Sequence, residues 1–232
     1  MHIRTFAAIA AVCATLGMAE GHAADATFTS ESLFQAAAGT TVLESFESVA
    51  ARARANTPVV APLLTVNPLD GAMIGIQDGA NSPGSGFGSY ATEGTRYLLS
   101  YVDPVPGVFP GPDVLQPTGT LHFALNGPAR AFGLTITDVG EVNGTVVLRT
   151  GNGGFVGGVT LLSFPPTAGN GGQFFIGLTQ DESFTDVYLT VSAPDEAFGV
   201  DRLLVASVPE PAEYALLLAG LVLVGAAVRR RA

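Results

Sequence analysis

Three stretches of this chain alternate apolar and polar residues with a period of two. Leu121, Phe123 and Leu125 share one parity, with His122, Ala124 and Asn126 on the other. Phe132, Leu134 and Ile136 alternate with Thr135 and Thr137, and Val187, Leu189 and Val191 with Tyr188, Thr190 and Ser192. A period of two with one apolar face predicts half-buried antiparallel strands. Further strands are predicted at 41–46, 59–66, 72–76, 95–101, 145–150, 156–163, 173–178 and 198–206, with turn residues between them. One helix precedes the sheet. Ser30 to Gly39 has cap candidates at its start, alanines inside and a glycine stop, and its Leu33-Phe34 pair is expected to pin it to the domain. The pattern predicts an all-β fold, a two-sheet antiparallel jelly-roll-like β-sandwich with a short N-terminal helix. A closed barrel is the structural alternative.

Two stretches break the alternation. Residues 78–90 are too glycine-rich for regular structure, and residues 103–117 hold prolines at 104, 106, 110, 112 and 117. Both read as surface loops, where binding sites concentrate.

The two ends are apolar without alternation. Met1-His2-Ile3-Arg4 is a short positive start, Phe6 to Leu16 is apolar or small, and small residues follow around Gly21 to Ala26. This is the layout of a secretory signal peptide, 1–23, with cleavage after Ala23 or Ala26. Cys13 does not fit a lipid attachment site, because Val12 stands where a small residue is needed. At the other end, Val208-Pro209-Glu210-Pro211 leads into an apolar run to Val228 and then Arg229-Arg230-Arg231. As a helix, residues 212–228 would cover roughly 25 Å at about 1.5 Å per residue, close to a hydrocarbon core of about 30 Å. The sequence therefore predicts a C-terminal transmembrane helix with the arginines as a cytoplasmic stop and residues 24–207 outside the cytoplasm. No linker separates Ala206 from Val208, so the domain is expected to sit close to the membrane.

Between 24 and 207 there are 17 acids against six arginines, and the chain has a net charge of −10. That balance argues against nucleic acid and against anionic membrane surfaces as partners. It suits a solvated extracellular surface or divalent cations. The single cysteine lies in the signal peptide, so the exported part has neither a disulfide nor a thiol nucleophile.

Together the ends resemble the PEP-CTERM family of bacterial exported proteins. The resemblance rests on Val208, Pro209, Glu210 and Pro211, the apolar span, Arg229, Arg230 and Arg231, and the leader. It implies a sorting tag, 208–232, read by an exosortase, a membrane-embedded transpeptidase-like enzyme of Gram-negative bacteria that make extracellular polysaccharide. The tag would be cut near Pro209-Glu210-Pro211. The domain would then pass from transient inner-membrane anchorage to the cell surface or biofilm matrix. The resemblance covers about 25 residues and gives an address, not the role of the domain.

Signals for catalysis are poor. No nucleophile elbow, phosphate loop or paired-histidine metalloprotease motif occurs, and His122, opposite in parity to Leu121 and Phe123, reads as a surface histidine. A two-carboxylate glycosidase stays open, with Asp181-Glu182 and Asp195-Glu196 as the acids to inspect. A non-enzymatic, polysaccharide-associated role is the better reading; a secreted hydrolase or a simply anchored surface protein are the alternatives. Leu43 to Glu47 and Ala197 to Leu203 loosely resemble the first and last strands of jelly-roll carbohydrate-binding modules. That resemblance implies a structural calcium ion shared by Glu47 and Asp201. The residues themselves leave open a pairing of Asp201 with Arg202 or another arginine. Tyr97 and Tyr101 share one strand parity and could form an aromatic platform for a sugar.

Overall fold

The structure is a computed structural model that describes residues 25–79, 91–102, 119–138, 145–152, 155–163, 172–192 and 197–208, with Gly220, Val228 and Arg229. The signal peptide, the predicted membrane helix apart from Gly220 and Val228, and most of both irregular loops lie outside the described residues. No helix among the described residues is long and apolar enough to cross a membrane.

Twelve strands and one helix follow in order among the described residues: β1 (Ala26–Phe28), α1 (Glu31–Ala38), β2 (Val42–Glu44), β3 (Arg52–Ala55), β4 (Val59–Val60), β5 (Leu64–Leu69), β6 (Ala72–Asp78), β7 (Arg96–Val102), β8 (Thr120–Thr137), β9 (Thr145–Asn152), β10 (Phe155–Ser163), β11 (Gln173–Ser192) and β12 (Ala197–Ser207). The predicted strand at 59–66 divides in two. Pro62 lies in a tight turn in which Ala61 and Leu64 exchange backbone hydrogen bonds, so β4 and β5 form a small hairpin. The segment Arg52–Ala55, with its alternating arginines, gave no apolar face to read, yet it pairs with β6 at the sheet edge.

The largest departure from expectation is continuity. The two predicted strands at 121–126 and 132–137 are one strand, β8, and those at 173–178 and 187–191 are one strand, β11. Both pass from one layer of the molecule to the other. The first half of β8 pairs with β5 and with residues 186–190 of β11, which in turn pair with β9 and so lead to β10. The second half of β8 pairs with residues 173–179 of β11 and with β12, which continues to β7, β6 and β3. Two separate sheets were expected, but a single sheet is folded over itself through two bent strands. Register shifts at Thr179/Phe184 in β11 supply the bend. The main path runs from β10 to β3 without closing, so the result is an open, sandwich-like sheet and not a barrel.

The core lies between the two layers. Leu64, Val66, Leu121, Phe123, Val187 and Leu189 from one layer meet Ile74, Ile76, Leu98, Phe132, Leu134 and Ile136 from the other in one buried cluster. Phe123 and Phe132, on opposite halves of β8, have ring centroids 5.5 Å apart. Each fully buried Phe or Leu contributes about 1.5–3 kcal/mol by leaving water, and no disulfide is needed to hold the layers together.

Helix α1 lies outside the sandwich. Ser30 caps it in extended conformation, Glu31 favours its positive N-terminal end, and Gly39 ends it at φ 74°. Phe34 is buried against Phe28 and Phe175, over the cross-strand pair Gly133 and Gly177. A Cβ at Gly177 would stand 2.7 Å from the Phe34 ring, so the glycines form the flat seat that admits the helix. Leu33, expected to help pin the helix, is 64% exposed. Of this pair Phe34 alone packs inward, because the two adjacent side chains point about 100° apart on a helix.

Candidate functional site

Two polar regions distinguish this molecule from a plain sandwich. The first is the outward face of the layer built by β5, β8, β11 and β9. On this face Asn67, His122, Tyr188 and Arg149 stand side by side, because Asn67 pairs with His122, His122 with Tyr188 and Tyr188 with Arg149. Their chain neighbours Leu121, Phe123, Val187, Leu189 and Leu148 are buried in the core, so strand alternation forces this row outward. The His122 and Tyr188 rings are stacked, 4.6 Å between centroids and 8° from parallel. His122 Nε2 lies 2.7 Å from Asp186 Oδ1, and the Thr185 hydroxyl donates to Asp186 Oδ2 at 2.7 Å. One row further along, the Thr120 and Thr190 hydroxyls are 3.1 Å apart. Partial burial, with the nearby Asp186 carboxylate adding to it, raises the Tyr188 phenol above its ordinary range. The phenol therefore stays protonated and available as a hydrogen-bond donor at neutral pH. Across the three paired rows that surround Tyr188, Asp186 is the only carboxylate among the described residues.

The second region clamps the turn before β7. Asp201 is fully buried, and its Oδ2 accepts hydrogen bonds from Thr92 N–H at 2.7 Å, Glu93 N–H at 2.8 Å and the Thr92 hydroxyl at 3.0 Å. Its Oδ1 accepts Arg202 N–H at 2.7 Å. Burial raises the Asp201 carboxyl to about 6, against the pull of these donors. Arg202 sits at φ 52° in an irregularity of β12. Its guanidinium reaches Glu31 of α1 at 2.8–3.0 Å and also Glu93. The hydrogen-bonded Glu31 carboxylate, more than the opposing burial, raises the Arg202 pKa further, with Glu93 and Asp201 adding to it. Glu47 Oε1 accepts Thr95 N–H at 2.7 Å and Arg96 N–H at 2.6 Å. Burial disfavours the ionised Glu47, but these donors and the Arg96 guanidinium outweigh it and hold its carboxyl below the usual range. The Glu47 carboxylate covers Gly94, whose φ is 67° and whose absent Cβ would fall 2.5 Å from Oε1. Glu44, also buried, accepts Phe46 N–H at 2.8 Å in the same manner.

These contacts bear on what the sequence led one to expect of Glu47, Asp201, Tyr97 and Tyr101. Glu47 and Asp201 do hold one turn, but through its backbone N–H groups. Those N–H donors compete with calcium, which takes six to eight oxygen ligands, for Glu47 Oε1 and for both Asp201 oxygens. No group of three or more His, Cys, Asp or Glu among the described residues is placed to hold a metal ion. Asp201 meets the backbone of Arg202, while the guanidinium goes to Glu31 and Glu93. Tyr97 is 4% exposed, packed with Ala91, Leu99 and Ala197, so it offers no ring face to a sugar. Tyr101 pairs with Met73 and Ala197 through its backbone, and its side chain lies outside the described residues.

Of the other residues singled out from sequence, Asp181 and Glu182 are exposed at the bend of β11, where Asp181 N–H donates to Asp25 at 3.1 Å. Asp195 and Glu196 lie outside the described residues, as do Pro209, Glu210, Pro211, Arg230 and Arg231. Arg229 is exposed. Val208 closes the domain, its N–H donating to Pro128 O at 2.9 Å. Sequence reading placed His122 and Tyr188 on the polar parity but did not bring them together. The signal for Tyr188 was an aromatic ring on the wet side of an alternating strand. Asp186 had no signal beyond parity, since its partner lies 64 residues away.

No curated protein matches the chain. Among solved structures, it is similar to the K2 cleaved adhesin domain of Lys-gingipain, at 13% identity over 72% of this chain and 99% of that one, TM-score 0.44. It is also similar to TmCBM61 in complex with beta-1,4-galactotriose, at 12% identity over 71% of this chain and 94% of that one, TM-score 0.37. A third likeness is to the enzymatically active domain of bacteriophage CBA120 tailspike protein 4, at 9% identity and TM-score 0.39. It covers 63% of this chain but spans only 20% of the tailspike's length. The sequence match is at the C-terminus, where residues 207–231 fit the PEP-CTERM protein-sorting motif. The chain carries that motif, the mark of an exported, exosortase-sorted protein of the cell envelope.

Proposed function

We propose that the domain is a non-enzymatic component of the cell surface or biofilm matrix of a Gram-negative bacterium, and that its outward sheet face around Tyr188 associates with extracellular polysaccharide. The observation that carries this reading is the row Asn67, His122, Tyr188 and Arg149, with Tyr188 stacked on His122. A sugar presents apolar C–H faces and a rim of hydroxyls. An aromatic ring flanked by amide, imidazole and guanidinium groups can meet both. Tyr188 has His122 against one ring face, and the other lies on the β9 side, where the exposed Arg149 is the cross-strand neighbour. The test is affinity electrophoresis in polysaccharide from the producing organism. Wild type is expected to be retarded and Tyr188→Ala to lose about tenfold in affinity, worth about 1.4 kcal/mol. A wild-type protein that migrates freely would count against the reading.

The His122–Asp186 hydrogen bond favours one second reading, a hydrolase. Glycoside hydrolysis ordinarily uses a pair of carboxylates about 5–9.5 Å apart, and the rows around Tyr188 offer one. Turnover of a labelled polysaccharide, abolished by Asp186→Asn, would favour the enzyme.

The processing partner in this reading is an exosortase in the inner membrane. It would cut near Pro209-Glu210-Pro211 and release the domain from a membrane anchor formed by 212–228 and stopped by Arg229-Arg230-Arg231. Removal of the leader after Ala23 leaves β1 whole, whereas removal after Ala26 would take its first residue. Mass spectrometry of the surface form reads both ends. A mature C-terminus beyond Val228 would mean simple anchorage without cutting.

A further inference from the structure

The chain leaves the folded domain through an uncharged groove. Val208 lines it together with Val42, Leu63, Leu125, Gly127 and Pro128, and its volume is about 390 Å³. None of the described residues lining it is charged, in a domain where acids outnumber arginines 17 to six between 24 and 207. Beside it on β2, Val42 is 49% and Leu43 40% exposed, held there by pairing with Val205 and Leu204 at the end of β12. The hydrogen bond from Val208 N–H to Pro128 O fixes the exit point.

Four residues on, at Ala212, the apolar run begins, and four residues span at most about 14 Å. A membrane helix formed by that run would bring this edge of the domain to the interface whatever path the tether takes. Acidic surface there would be repelled by anionic headgroups and costly to desolvate; an edge of Val, Leu, Pro and Gly, with Asn126 and Ser207 as its uncharged polar members, is not repelled and costs less.

We propose that this groove edge is a lipid-contacting surface, seated on the bilayer while the tag is still attached, which holds the sorting motif at the headgroup level. The proposal rests on the anchor reading given above.

The full precursor can test it in phosphatidylcholine vesicles with and without brominated acyl chains. With Cys13→Ala as background, single cysteines carry an environment-sensitive fluorophore at Gly127→Cys, Leu69→Cys or Leu218→Cys. Gly127 has open space where a side chain would go. Leu69 is at the opposite end of β5 from Leu64, whose partner is Leu125 in the groove. That is about 17 Å away at about 3.4 Å per residue. Brominated lipid is expected to quench the labels at 218 and 127, the latter by roughly half, and to leave the label at 69 unchanged. Quenching at 218 without quenching at 127 overturns the proposal and keeps the anchor. No quenching at 218 overturns the anchor reading and the proposal with it. If the label at 127 is shielded only in native membranes that contain the processing enzyme, the edge docks that enzyme and the lipid proposal is overturned.

Discussion

The outward face around Tyr188 has one carboxylate, Asp186, and the clamp around Asp201 has several; each also has a basic group, yet they differ in where the hydrogen-bonding capacity goes. In the clamp, the buried Asp201 and the exposed Glu47 give oxygens to backbone N–H groups of one turn, as the buried Glu44 does for Phe46 N–H nearby. On the outward face, Asn67, His122 and Tyr188 are only half-buried and Arg149 is exposed, so their remaining capacity is open to a ligand. The clamp is thus a folding device, and the face is a place where something can bind. A cluster of acids does not make a site unless its lone pairs are unspent.

The comparison can be broken most forcefully at Asp201. Replacing the buried Asp201 by Ala strands three backbone donors and one hydroxyl in part-buried positions. The expected cost is about 3–5 kcal/mol of stability, read by chemical denaturation, and sugar binding should persist in whatever fraction stays folded. The next effect is its pH dependence. The Asp201 carboxyl is raised from 3.8 to about 6 in the folded state, so between those values the native chain binds more protons than the unfolded one. Its contribution therefore weakens as pH rises through that window, by on the order of 2–3 kcal/mol. Denaturation midpoints at pH 4 to 7 should show this slope in the wild type, and Asp201→Asn should flatten it. Gly94→Ala comes next. It combines a left-handed φ of 67° with a clash against Glu47 and should cost about 2 kcal/mol. Calorimetric melting would show it, with binding by the folded protein unchanged. The smallest expected effect is that of a chelator. Because the clamp oxygens face N–H donors, removing calcium should leave the melting temperature where it was, whereas a clear drop would restore the calcium reading of Glu47 and Asp201.

Much of this division lies beyond the reach of a linear sequence, for identifiable reasons. Strand alternation exposed the core parity of β8 and β11, and it placed His122 and Tyr188 on the wet side. Alternation is a local property, however, and which strands become neighbours is not. His122 meets Asp186 only because β8 and β11 pair across 64 residues. Asn126-Gly127-Pro128 reads as a turn, yet β8 runs through it, since Pro128 needs no ladder N–H and its carbonyl takes Val208 instead. Tyr97 failed as a platform because it lies beneath Ala91 and Ala197, neither of them near it in pattern. Glu47 and Asp201 meet at one turn, and the chemistry that brings them there is not written in their own side chains. Sequence shows carboxylates, whereas the donors that claim them here are backbone groups of the Thr92–Arg96 turn, which no residue letter displays.

The division between the two regions is tested most directly by a nuclear magnetic resonance titration of the isotopically labelled domain with the producing organism's extracellular polysaccharide. The expected result is a set of shifted resonances centred on His122, Tyr188 and Arg149, with Thr92 to Arg96 and Asp201 unmoved. Shifts confined to the Thr92–Arg96 turn, or none at all, would contradict the assignment of binding to the outward face.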